Sequence, residues 1–114
     1  MILSDLAKNA MLQSIANMLN TGTNATLSIY IGTTLAVELA MKNPVEASVS
    51  NGILTFNTPF EAVAIESGVP TGAKLRDSAG ILIADFDVGT ELTLDKDKIY
   101  MGGYVGLSSL AISI

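Results

Sequence analysis

Apolar side chains along this chain change their period once, near residue 25. Between Ser4 and Asn20, Leu6, Ala10, Met11, Ile15, Met18 and Leu19 recur at spacings of three and four, which predicts a helix over 4–20. Ser4 or Asp5 offers an oxygen to the unpaired N–H groups of the first turn, and Asn20-Thr21-Gly22 supplies the stop. Lys8, Asn9, Gln13 and Asn17 form the polar face, which Leu12 interrupts.

From Ala25 the period becomes two. Leu27, Ile29 and Ile31 alternate with Ser28 and Tyr30, and Val37, Leu39 and Met41 alternate across 36–42, so two half-buried strands follow the helix. Pro44 closes the second, because proline brings no N–H to a ladder. Asn51-Gly52 between Glu46–Ser50 and Ile53–Asn57 predicts a two-residue hairpin turn with positive φ at both positions. A short strand is expected at 61–65, amid the punctuation of Pro59, Gly68, Pro70 and Gly72. A second hairpin joins 74–77 to 81–86 across Ser78-Ala79-Gly80, and strands at 91–95, 99–101 and 104–114 complete the set. In the last of these the alternation breaks at Ser108-Ser109, where a bulge restores the phase. This strand carries Val105, Leu107, Leu110, Ile112 and Ile114 and would be a poor bare edge, so it is either central or covered by another chain.

About eight short strands after one helix, with turn residues between them, predict a mainly β fold: an antiparallel β-sandwich, jelly-roll or Ig-like, with one N-terminal α-helix. At 114 residues, with no linker or repeat, the chain is one domain, 1–114, divided into the 4–20 helix and a 25–114 sandwich. Such a length buries roughly two thirds of the surface an unfolded chain exposes, so neither disulfides nor metal are needed.

Composition bears on function. Only 15% of the residues are charged while the mean hydropathy is +0.48. A soluble domain usually carries about a quarter. Apolar surface is therefore expected to meet another subunit, and a homo-oligomer is predicted. The net charge of −5, with six scattered basic residues, offers no footprint for nucleic acid. No run approaches the roughly 18 apolar residues of a membrane span, and no basic segment precedes an apolar core at the N-terminus, so neither a membrane nor a signal peptide is expected.

The chain has no histidine and no cysteine, which removes the commonest groups for proton transfer, covalent catalysis and soft-metal ligation. No Gly-x-Ser-x-Gly elbow is present, and Gly102-Gly103-Tyr104-Val105-Gly106 matches neither phosphate-loop pattern. The expectation is a non-enzyme without catalytic residues, cofactor or metal. Asp85, Asp87, Glu91, Asp95 and Asp97 read as solvated turn carboxylates; a strand-loop calcium site is the alternative, although the spacing lacks the ligand order of a calcium-binding helix-loop-helix.

Leu3 to Leu12, Leu27 to Thr33, Ser50-Asn51-Gly52, Leu75-Arg76-Asp77-Ser78-Ala79-Gly80 and Gly103 to Ser109 together resemble a family of small virion structural proteins of tailed bacteriophages. The chain departs from that family at Pro70 to Ala73, where an aromatic residue usually precedes the hairpin, and in a shorter connection after Gly32. The resemblance implies a head-decoration or tail-associated β-sandwich located in the virion, made in the host cytoplasm, with a phage capsid or tail protein as partner. It implies no catalytic residues. The contact residues expected for such a subunit are Met11, Leu12, Ile15 and Met18 on the helix, with Leu110 and Ile112 on the last strand. The alternative is a binding module for a host glycan or surface protein, built on Tyr30, Tyr100 or Tyr104.

Overall fold

The computed structural model describes residues 2–58, 61–89 and 92–113. Helix α1 spans Asp5–Asn20, and Ser4 caps it by accepting the Ala7 N–H on its Oγ at 3.2 Å. Among the described residues ten strands follow: β1 Thr26–Ile31, β2 Thr34–Ala40, β3 Glu46–Ser50, β4 Ile53–Phe56, β5 Ala62–Val63, β6 Gly72–Arg76, β7 Leu82–Asp87, β8 Leu92–Leu94, β9 Tyr104–Val105 and β10 Leu107–Ser113. They form two four-stranded antiparallel sheets, ordered β2-β1-β6-β7 and β3-β4-β10-β8, and a two-stranded ribbon, β5-β9. The molecule is thus mainly β with one N-terminal helix, in the manner of a sandwich and without barrel closure.

Alternation builds the interior. Leu27, Ile29, Val37, Leu39, Ala73 and Leu75 of the first sheet join Leu54, Phe56, Leu92, Leu94, Leu107 and Leu110 of the second in one buried cluster. The helix adds Leu12, Ala16 and Leu19 to it.

Both expected hairpins form. Asn51 and Gly52 take φ of 53° and 73°, the left-handed pair that matches strand twist and that an Asn-Gly sequence tolerates. At the other, the Asp77 side chain accepts the N–H groups of Ala79 and Ile81 at 3.0 and 2.9 Å, holding the turn that Gly80 completes. The break at Ser108-Ser109 is a register shift between β10 and β8, and β10 lies between β4 and β8, so it is not an edge.

Three expectations are corrected. β2 begins at Thr34 rather than residue 36, because Gly32-Thr33 turns the chain in two residues. The segment 99–101 is no strand; Ile99 makes a single bridge to Gly68, and residues 100–103 turn. The stretch from Tyr104 is two strands in different sheets, separated at Gly106, which exchanges bonds with Asp95: its N–H meets Asp95 Oδ1 at 3.2 Å and its carbonyl accepts the Asp95 N–H at 3.0 Å. Pro59, Phe60, the strand position at Glu91 and the terminal Ile114 lie outside the described residues.

The inward stripe of α1 also differs from the periodicity. Leu12, Ala16 and Leu19 face the core, while Leu6, Met11 and Met18 are open to solvent. Met11 and Met18 sit one residue, roughly 100° of rotation, from Leu12 and Leu19. Polar anchors account for the rotation. Asn9 Oδ1 accepts the Gly52 N–H at 2.9 Å, Gln13 donates to Glu46 at 3.0 Å, and Asn20 both donates to Glu46 at 2.8 Å and accepts the Val45 N–H at 2.7 Å. Asn9 and Gln13 of the expected polar face, with Asn20 of the expected stop, dock the helix along the β3–β4 hairpin.

Candidate interaction surface

Of the six expected contact residues, two are enclosed in the core and two are partly covered. Leu12 and Leu110 are core residues, fully enclosed because helix and strand direct them between the layers. Ile15 and Ile112 are partly buried against the same cluster. Only Met11 and Met18 remain open.

The larger apolar surface lies elsewhere. Residues 61–69 and 99–105 run antiparallel: Val63 faces Tyr104 and Ala62 faces Val105 in the β5–β9 pair. Further bonds lengthen this ribbon, from Ala64 N to Gly103 O and from Gly102 N to Ala64 O, each at 2.9 Å, and between Gly68 and Ile99 at 2.9 and 2.8 Å. The Ile65 N–H donates to Ala36 O at 2.8 Å, tying the ribbon to β2, and Met101 N donates to Ser67 Oγ at 2.7 Å. The ribbon is therefore built firmly into the body.

Its sidedness is unusual. Small residues, Ala62 and Ala64, point inward with Val105, while the bulkier Val63, Ile65 and Tyr104 point outward, 48%, 56% and 62% exposed. In the turn closed by Gly103 N on Tyr100 O at 2.9 Å, Tyr100 and Met101 are 61% and 63% exposed, and Val69 is 61% exposed. Charges of both signs rim this surface: Lys96 Nζ donates to Tyr104 O at 2.8 Å, Lys98 Nζ lies 5.5 Å above the Tyr100 ring, Asp95 and Asp97 are exposed between and beside these lysines, and Glu61 and Glu66 are exposed on the opposite strand. Most single exposed apolar residues mean nothing, but a contiguous group marks an interface.

A second feature occupies the outer face of the first sheet. Gly72 is the register partner of both Tyr30 and Asp87, and the three border a groove of about 520 Å³ that Thr33, Lys74 and Asp85 also line. Arg76 fixes the Tyr30 wall, donating to its hydroxyl at 3.2 Å and to Ser28 Oγ at 3.1 Å. Lys74 and Asp85 pair at 3.3 Å, both well exposed, so the pair adds little stability.

The weighed acidic residues are dispersed. Asp85 is spent on Lys74 and Asp95 on Gly106, while Glu91 lies outside the described residues. Among the described residues no three carboxylates converge.

No protein-family model, curated protein or solved structure matches the chain.

Sequence reasoning missed the ribbon because it assigned Tyr104 to the final strand and left Val63 in an isolated one. The legible signal was the inverted alternation of 61–65, where each outward position carries the larger apolar group.

Proposed function

We propose that this protein is a non-enzymatic structural subunit of a tailed-phage virion, a capsid-decorating or tail-associated β-sandwich that self-associates and binds a virion lattice. The observation that carries the reading is the outward apolar side of the β5–β9 ribbon, where Val63, Ile65 and Tyr104 stand 48%, 56% and 62% exposed on a firmly bonded element, with Val69, Tyr100 and Met101 open on the segments that flank it. A chain with so few charges gains by covering such a face, and in a repeating lattice each modest contact is multiplied. The absence of histidine and cysteine and the resemblance to small virion proteins support the same reading. Quantitative mass spectrometry of purified phage particles encoding the chain tests it. The expected result is the protein at a fixed copy number per particle; particles that assemble and infect without it refute the proposal.

The groove over Gly72 favours a second reading, a binding module for a host glycan, because a fixed tyrosine beside paired charges suits a neutral polyol. Saturable binding on a glycan array, lost in Tyr30→Ala, would favour it over the first.

A further inference from the structure

The structure assigns Asn51, at the tip of the β3–β4 hairpin, as a site of spontaneous chemical modification. Its side-chain amide is converted to a carboxylate through attack by the backbone nitrogen of Gly52, and Asn9 of α1 holds that reaction back.

Three observations meet at this turn. The first is sequence: of the seven asparagines only Asn51 precedes a glycine. An asparagine loses its amide when the nitrogen of the next residue attacks the side-chain carbonyl carbon, and glycine, lacking a Cβ, leaves that approach unhindered. The second is the state of the amide. Asn9, Asn17, Asn20, Asn24, Asn43 and Asn57 each hold a side-chain hydrogen bond. Asn51 is exposed, and among the described residues its side chain has no such partner.

The third is the state of the nucleophile. Gly52 is buried, and its N–H donates to Asn9 Oδ1 at 2.9 Å. The reactive amide therefore stands in water while the nitrogen that must attack it is held by the helix.

The step balances with water alone. The Gly52 N–H gives its proton to solvent base, the nitrogen bonds to Asn51 Cγ, and the Cγ–Nδ2 bond breaks as ammonia leaves, closing a succinimide ring. One water then opens the ring, giving aspartate where it attacks the side-chain carbonyl and isoaspartate where it attacks the backbone carbonyl. Loss of the proton and closure of the ring both break the bond to Asn9, so the reaction waits on the opening of that bond. One net hydrogen bond corresponds to roughly threefold to tenfold in rate.

The product loosens the junction that restrained it. The net charge moves one unit beyond −5, and isoaspartate routes the backbone through Cβ, lengthening a turn whose register pairs Ser50 with Ile53. Gly52 then leaves Asn9, and α1 loses its bond to the hairpin tip.

The full chain, incubated in warm, mildly alkaline buffer, tests this by peptide mapping, which follows the mass gain of amide to acid at each asparagine. The gain should come at Asn51 before any other position, and at least roughly tenfold faster when the wild type is unfolded in guanidinium chloride. Asn9→Ala, checked for folding by circular dichroism, should react roughly threefold to tenfold faster than wild type. Asn9→Asp, which keeps an acceptor oxygen for the Gly52 N–H, should stay near the wild-type rate. Asn20→Ala loosens the other end of α1 and leaves this bond in place, so it should fall well short of Asn9→Ala. In the wild type the Gly52 N–H should be protected from hydrogen exchange, which reads the bond even where a variant fails to fold. Modification that begins at another asparagine, a folded chain that reacts as fast as an unfolded one, or an unprotected Gly52 N–H overturns the inference. So does an Asn9→Ala chain no faster than wild type, or an Asn9→Asp or Asn20→Ala chain that matches it in speed.

Discussion

Replacing Leu12 by alanine should cost far more than replacing its neighbour Met11, although periodicity alone assigns Met11 to the buried face. Leu12 is fully enclosed and sits in the cluster shared by helix and both sheets, whereas Met11 is 48% exposed. Truncating a buried leucine removes its transfer energy and leaves a cavity, typically 2–5 kcal/mol in total. A value of about 3 kcal/mol is reasonable here because the helix is held by polar anchors at both ends and cannot collapse freely onto the void. With a urea dependence of about 1.5 kcal/mol per molar, the unfolding midpoint would fall by about 2 M. Met11→Ala loses contacts that are already half wet and gains a residue of higher helix propensity, so its cost should stay below about 1 kcal/mol. Urea unfolding followed by circular dichroism compares the two. Equal costs, or a larger one at Met11, would mean that α1 is rotated from the orientation described and that its amides do not dock the hairpin.

Asn20→Ala should destabilise by about 2 kcal/mol in the same assay, since it strands the Val45 N–H and one Glu46 oxygen at a partly buried junction; an unchanged midpoint would refute the anchoring role. Arg76→Met should cost about 1–2 kcal/mol, because Ser28, only 1% exposed, loses its partner. It should also free the Tyr30 ring, read as averaged ring resonances by NMR; a ring as immobile as in the wild type would show that Arg76 does not set the groove wall.

The strand pattern was legible because its signals are local. Alternation at 27–31 and 36–42, the Asn51-Gly52 turn and the Asp77 to Gly80 turn each depend on residues a few positions apart, and all appear in the structure. Even the bulge at Ser108-Ser109 follows from phase alone. The helix was found and its facing was not. Hydrophobic spacing cannot weigh a glutamine or asparagine that bonds across 25 to 43 positions, and the bonds of Asn9, Gln13 and Asn20 rotate the helix. Leu12 and Leu110, expected as contact residues because they are apolar, lie in the core for the same reason: apolarity is equally a mark of the core.

The order of residues by itself determined the period of each segment, its turns, and the absence of histidine and cysteine, since each is a property of side-chain type at short range. It also settled that apolar groups outnumber the charges available to cover them. The tertiary structure decided which greasy side chains stay outside. Val63 and Tyr104 stand 41 positions apart, and only the pairing of β5 with β9 makes them one surface. The choice between core and surface depends on what lies across the ladder, and backbone pairing between distant strands leaves no mark on the periodicity of either.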